Sequence, residues 1–284
     1  MRALNDFDLS CAIENLLVER NPRGMKTVQA ALEPGYYLRA AQMLRGCGGT
    51  VLIGTGFPVL ETYETDGPLG AIVLYQSLTA LGANPVIVCG NPLADALAAD
   101  YRVLEISVGI PENREQEARE ALRALSPELI ISIERPGLSA EGSYFNMRGE
   151  DISARCACFD YFLNYASCPS IGIGDGGNEI GMGNVQQTLA SLEIVPSVTR
   201  CDELLIADVS NWAALGLIAI IGYWQDSDLL GKLSPRDILA YLSARGSIDG
   251  VTRENTLTED GLPVEEGEKI LNALRQLTGF GDEV

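Results

Sequence analysis

Residues 49–89 read GTVLIGTGFPVLETYETDGPLGAIVLYQSLTALGANPVIVC. Thr50 to Gly54 is a short β-branched run, Val86 to Cys89 is a second, and between them Pro68 to Leu81 places apolar residues at helical spacing. Strand, loop, helix and strand in that order make a βαβ unit, whose crossover helix lets two parallel strands lie side by side. The alternation continues outward, with further strands expected at Leu129 to Ile133, Ser170 to Gly174 and Leu204 to Asp208, and a weaker one near Val103 to Ser107. Helical spacing recurs at Glu112 to Leu125, Asp151 to Tyr165 and Trp212 to Gln225. The pattern predicts an α/β fold: a mostly parallel sheet flanked by helices, Rossmann-like and three-layered, with extra N- and C-terminal helices.

One α/β domain is expected over residues 1–284. Helices at Phe7 to Glu19 and Glu33 to Arg45, separated by the turn Asn21-Pro22-Arg23-Gly24, would make residues 1–48 an N-terminal layer packing on the sheet core at 49–225. Residues 226–284 read as a helical C-terminal extension: a helix after Ser234-Pro235, a polar loop from Gly246 to Asn255 and an amphipathic helix from Pro263 to Leu277.

Composition narrows the chemistry. Hydrophobic residues at 46% and charged residues at 21% suit a folded core and leave little room for disorder. The formal charge of −19 repels phosphate backbones and anionic lipid, so neither nucleic acid nor membrane is expected as a partner. Met1 to Leu9 lacks a cationic region followed by an apolar run, and the apolar stretch Trp212 to Trp224 is too short to span a bilayer and reads as a buried helix. Seven cysteines, an odd number without a CxxC pair, read as reduced core residues, so a cytoplasmic location is expected. There is no histidine, which excludes Ser-His-Asp and Cys-His catalysis and His-ligated zinc. None of the three lysines stands in a GxxxxGK[ST] loop and no GxSxG elbow occurs. Proton transfer therefore falls to carboxylates, Tyr, Cys or Lys.

Four loops follow the expected strands, and in a parallel sheet all would share the carboxyl edge where such folds bind ligands. The first, after Gly54, holds Glu61, Glu64 and Asp66 ahead of Gly67-Pro68; the acids either cap and solvate a helix start or bind an amine or a divalent cation. The second contains Arg135, Tyr144, Asn146 and Arg148, and an arginine fork there could clamp a carboxylate or pair with a neighbouring acid. The third is Gly172 to Gly183, GIGDGGNEIGMG. Its GxGxxG at Gly172, Gly174 and Gly177 is a weak dinucleotide signal, because Asp175 and Glu179 would repel a pyrophosphate. Gly174, Gly176 and Gly177 let backbone approach a ligand, while Asp175, Asn178 and Glu179 supply polar anchors. The fourth carries Asp208, an acid at a strand end that needs a partner or a ligand, and Asn211, suited to cap the following helix.

The strings Glu64-Thr65-Asp66-Gly67-Pro68, Glu134-Arg135 with Tyr144 to Arg148, GIGDGGNEIGMG and Val209-Ser210-Asn211-Trp212 together resemble, in residues and in order, the C-terminal domain of the D-glutamate cyclase family. The resemblance covers roughly Gly54 to Tyr223, and GDGGNEIGMG is its most specific part. It implies a lyase that interconverts D-glutamate and 5-oxo-D-proline with loss or gain of water. Larger members also carry a hydro-lyase-like domain, for which no counterpart is expected here. Ring closure needs a proton acceptor, a proton donor and a site for the oxyanion. On chemical grounds Asp175 and Glu179 are assigned proton transfer, and Asp66 and Glu64 orient the amine or hold a cation. Arg135 and Arg148 clamp carboxylate, and glycine-loop amides or Asn178 meet the oxyanion. Asn146, Asp208 and Asn211 complete the substrate-binding candidates. No cofactor motif is present; a divalent cation, Mg²⁺ or Mn²⁺, is admitted with Glu64, Asp66 and Asp175 as its ligands. The partner expected is a small-molecule substrate, an amino acid or its lactam, and a homo-oligomer is compatible with the sequence. Two other readings stand beside this one: a divalent-metal enzyme acting on a small phosphorylated metabolite, and an amino-acid-binding protein without turnover.

Overall fold

The computed structural model describes residues 4–281. Six parallel strands form the central sheet: β1 (Thr50–Gly54), β2 (Asn84–Cys89), β3 (Val103–Glu105), β4 (Leu129–Ile133), β5 (Ser170–Gly174) and β6 (Glu203–Ile206). Their spatial order is β3-β2-β1-β4-β5-β6, so the chain winds one way from β1 and then returns to wind the other way from β4. Ligands of such sheets bind outside the carboxyl ends of the strands near that reversal.

Successive side chains of a strand point to opposite faces, and the strands here are apolar on both. Val51, Ile53, Ile87, Leu129, Ile131 and Ile133 enter one core, while Leu52, Val86, Val88 and Ile130 enter another. The first, larger core is closed by helices Asp6–Leu17, Tyr36–Leu44, Pro68–Ala80, Ser210–Gln225, Pro235–Ser243 and Val264–Leu277. The second is closed by Arg114–Leu125 and Asp160–Tyr165. The result is three layers, as the strand and helix spacing predicts. Helix Ser210–Gln225 is buried from Ser210 through Tyr223, which explains an apolar stretch with no polar face. Among the described residues no helix is long and apolar enough to cross a membrane.

The structure departs from the expected elements at particular points. The helix expected over Asp151 to Tyr165 exists only as Asp160–Tyr165, preceded by one 3₁₀ turn at Ser153–Arg155. Between them the backbone is turned to tertiary partners: Cys156 carbonyl accepts from Gly109 N–H, and Ala157 carbonyl accepts from Arg135. β6 ends at Ile206, so Asp208 lies beyond the strand. Short helices at Met25–Gln29, Leu93–Leu97 and Gln186–Leu189 had too few residues to register a period. Two small hairpins, Pro58–Val59 with Thr62–Tyr63 and Thr258–Glu259 with Leu262–Pro263, add to the loop edge of the sheet.

Candidate functional site

A cavity of about 570 Å³ opens at the carboxyl edge of the sheet, within the range of small-molecule sites. Glu64, Glu134, Asp175, Asp260, Asn178 and Arg23 line it, with Arg148, Arg155 and Arg253 also on its wall. A larger groove of about 870 Å³ runs along helix Arg114–Leu125 to Ser126, Pro127 and Cys168, at the opposite edge of the sheet, where the lining acids Glu115 and Glu120 are exposed.

Each acid reaches the cavity by a different route. Glu134 is the first residue after β4 and adopts a left-handed backbone, φ 42°, uncommon for a residue with a side chain. Its Oε2 accepts the Ser210 hydroxyl at 2.6 Å. Asp175 stands one residue past β5, where its Oδ2 accepts from Arg23 Nη2 at 2.5 Å and from Ser210 N–H at 3.2 Å. Arg23 comes from the N-terminal turn; the same Nη2 also donates to Asp260 Oδ2 and to the Asp208 carbonyl. Asp208 itself is spent on that turn, its carboxylate accepting from the amides of Arg20 at 2.8 Å and Asn21 at 3.0 Å. It positions Arg23 rather than lining the cavity.

Glu64 is different in kind. It is buried, and among the described residues no hydrogen bond reaches its carboxylate. Its segment is paired with the C-terminal loop, Thr65 N–H donating to the Ile248 carbonyl at 3.0 Å. Gly250 leaves the space its carboxylate needs: a Cβ there would stand 1.9 Å from Glu64 Oε2. Burial, then the charges of Asp260 and Asp66, push its carboxyl well above the ordinary range.

Asp66 and Asn211 exchange the roles expected of them. Asp66 accepts from Asn211 N–H at 2.8 Å and Ser210 N–H at 2.9 Å, capping helix Ser210–Gln225. Asn211 Oδ1 accepts from Gly67 N–H at 2.9 Å and Gly70 N–H at 2.7 Å, capping helix Pro68–Ala80. Each residue caps the other's helix, so two helix N-termini are tied together beneath the cavity. Asn211 Nδ2 also donates to Glu259 Oε2 at 2.8 Å, and burial pushes the Glu259 carboxyl up to about 7.

The glycine loop folds around its own acid. The amides of Asp175, Gly176 and Gly177 all point to Glu179, at 3.2, 2.6 and 2.6 Å. The amides of Gly176 and Gly177 thus serve Glu179 and not a ligand, and Gly174 is the buried last residue of β5. Asn178 donates through Nδ2 to the Phe145 carbonyl at 2.9 Å, leaving its Oδ1 buried without a partner among the described residues.

The two arginines proposed to clamp a carboxylate separate. Arg135 is 2% exposed and gives its fork to backbone carbonyls, those of Thr55 at 2.7 Å, Gly56 at 2.8 Å and Ala157. Arg148 is exposed and lines the cavity, its Nη2 donating to the Val251 carbonyl at 3.2 Å. Asn146 braces that wall, accepting from the amides of Arg148 at 2.9 Å and Glu150 at 3.0 Å. The cation ligands expected were Glu64, Asp66 and Asp175; the structure instead gathers Asp66, Asp175 and Asp260 with oxygens within 4.8 Å, and separately Glu134, Asp175 and Glu179. Glu64 belongs to neither group.

The electrostatics follow from this crowding. Burial raises the Asp66 carboxyl, with Asp260 adding to the effect. Burial raises Asp175, opposed by Arg23 and reinforced by Glu134, and burial with Glu179 nearby raises Glu134. Against the same burial, Arg23 holds Asp260 below the ordinary range. The cavity therefore combines carboxyls that favour the protonated form with one held as the anion.

Sequence reading missed Arg23, Glu134 and Asp260 as site residues. Glu134 carried a signal, since it stands at a strand end as Asp175 does; Arg23 and Asp260 sit in polar turns with no local mark.

A curated relative, human mitochondrial D-glutamate cyclase, is 31% identical over 195 residues, covering 59% of this chain and 32% of the human protein. The chain thus spans about a third of that relative's length. Among solved structures, an exopolyphosphatase-related protein from Bacteroides fragilis is 13% identical with a TM-score of 0.45, covering 86% of this chain and 57% of its own. The ligand-free aldohexose dehydrogenase of Thermoplasma acidophilum is 12% identical with a TM-score of 0.28, at 85% and 91% coverage. Neither likeness is close enough to inform the chemistry. A family model described as D-glutamate cyclase-like, C-terminal, matches residues 13–275, nearly the whole chain, and this protein belongs to that family.

Proposed function

We propose that this chain is a lyase interconverting D-glutamate and 5-oxo-D-proline, and that Glu64 is its proton carrier. The family supports the substrate, and one observation carries the residue: Glu64 is a buried carboxyl on the cavity wall, raised in pKa and, among the described residues, engaged by no hydrogen bond. Such a group can take up a proton and return it within the cavity. In the closing direction the ammonium gives up a proton, its nitrogen attacks the γ-carboxyl carbon, the C–N bond forms and a C–O bond breaks. Two of the three ammonium protons leave with the departing oxygen as water and the third stays on the lactam nitrogen, so no net proton is consumed. Asp175, held by Arg23 and the Ser210 amide, orients the ammonium. Arg148 on the rim takes the α-carboxylate, whereas Arg135 holds the loop after β1. Glu179 shapes the glycine loop, and Asp66 and Asn211 fix the cavity floor. A cytoplasmic location remains our proposal from cysteine usage, beside a human relative named as mitochondrial.

The test is chiral product analysis on the purified chain with D- and L-glutamate and both 5-oxoprolines. Turnover is expected in the D-series alone, and Glu64→Gln is expected to lower kcat by about 10²-fold or more without loss of thermal stability. A folded wild-type chain that turns over neither D-compound would overturn the substrate, and an unchanged kcat in Glu64→Gln would remove Glu64 from proton transfer.

A further inference from the structure

The two carboxylate groups at the cavity share Asp175 but differ in what balances their charge. In the group of Asp66, Asp175 and Asp260, Arg23 is the cation: it pairs with both Asp175 and Asp260. In the group of Glu134, Asp175 and Glu179, among the described residues neither glutamate forms an ion pair with a lysine or arginine. Three carboxylates with oxygens within 4.8 Å repel one another strongly in a buried site unless a cation or protons intervene.

A second, independent observation lies beside that group. Asn178 is 2% exposed, and its Oδ1 is a buried acceptor without a donor among the described residues. The amide cannot turn to hide it, because Nδ2 is committed to the Phe145 carbonyl. Asn178 lines the same cavity, and a Cβ built on Gly176 would lie 2.7 Å from Met147 Sδ, 3.0 Å from Glu179 Oε1 and 3.1 Å from Asn178 Oδ1, so the bare glycine is what lets the carboxylate oxygen and the amide oxygen both stand against it. A neutral oxygen acceptor and a carboxylate oxygen of this group therefore border the same glycine. Every donor atom in this set is oxygen, as hard cations require, and no histidine exists in the chain to favour a softer metal. The carboxylates are also fixed in place, Glu134 by the Ser210 hydroxyl on Oε2 and Glu179 by three backbone amides shared between its two oxygens, as outer-shell hydrogen bonds orient metal ligands.

We infer that Glu134, Asp175 and Glu179, with Asn178 Oδ1 as a neutral fourth donor, form a site for one hard divalent cation of the Mg²⁺ or Mn²⁺ class. This assignment replaces the Glu64, Asp66 and Asp175 set expected from sequence and leaves Glu64 free. It does not depend on which amino acid the cavity accepts. A cation there would neutralise the glutamates and offer a Lewis-acid contact to a carboxylate or amide oxygen of a ligand.

The experiment is titration of the full, chelator-treated chain with Mn²⁺, reading free Mn²⁺ by its electron paramagnetic resonance signal, with Mg²⁺ as competitor. One site per chain is expected, weakened roughly 10-fold or more by Glu134→Gln and by Asn178→Ala, and unchanged by Glu112→Gln on the exposed surface. Asn178→Asp adds a fourth carboxylate and is expected to act in the opposite direction, tightening Mn²⁺ binding while lowering the melting temperature of the metal-free chain. Absence of a saturable site on a chain that melts cooperatively would overturn the inference, as would binding unaltered in Glu134→Gln or weakened in Asn178→Asp. Because the readout is binding and not turnover, either result leaves the chiral product assay to decide the reaction separately.

Discussion

At the scale of single residues, Arg23 carries more of the site than its place in an N-terminal turn suggests. One guanidinium nitrogen meets two carboxylates and a carbonyl in a largely buried setting. Removing one partner from a buried ion pair costs about 3–5 kcal/mol, since the remaining charge loses its compensation. Arg23→Gln is therefore expected to destabilise the chain by about that amount at neutral pH. Asp260, whose carboxyl Arg23 holds low against burial, contributes stability that is present above its unfolded pKa and lost as pH falls through its folded pKa. The deficit of Arg23→Gln should thus shrink on acidification, as the stranded carboxylates take up protons. Urea unfolding of both chains at neutral and acidic pH measures this, and a deficit of equal size at both would show that Arg23 acts through packing instead.

At the scale of elements, the linkage of two helix starts by Asp66 and Asn211 is the feature that sets the floor of the cavity. Helix Pro68–Ala80 has Gly67 at its cap position and receives no side-chain bond from it; Asn211 supplies the acceptor from another element. Asn211→Ala removes an acceptor from two amides and a donor from Glu259, so a loss of about 2–4 kcal/mol is expected. Asn5→Ala, at the exposed cap of helix Asp6–Leu17, is expected to cost about 1 kcal/mol. Denaturant midpoints compare the two directly, and equal losses would reduce Asn211 to an ordinary cap.

Across the whole molecule, the concentration of raised carboxyls makes stability depend on pH with a definite sign. Glu259 ordinarily titrates near 4.5 and in the fold near 7, so the folded state binds the proton more tightly. Its contribution is fully present below the unfolded pKa and is lost as pH rises through the folded one, over about pH 4.5 to 7, and amounts to about 3 kcal/mol. Glu64, Asp66, Glu134 and Asp175 are shifted in the same direction. The metal-free chain is thus expected to melt higher at pH 5 than at pH 7. Glu259→Gln, which keeps an acceptor for Asn211, should flatten that dependence; an unchanged slope between the two proteins would place the titration elsewhere.

The three layers and the edge at which the site lies were legible in local sequence. β-Branched runs such as Leu129–Ile133 and the apolar period of Pro68–Ala80 are local properties, set by side-chain sterics and by burial on one or both faces. The chain of four loops after strands followed from the parallel order, and GIGDGGNEIGMG carried the family. Which charge meets which was decided by the tertiary structure alone. Arg135 and Arg148 lie thirteen positions apart and read alike, yet one is surrounded by carbonyls and the other faces the cavity. Arg23 reaches Asp175 across 152 positions and Asp260 across 237, distances at which no spacing rule operates. Asp66 and Asn211 were legible as caps, but each caps the other's helix because a capping oxygen bonds whichever orphan amides packing brings near.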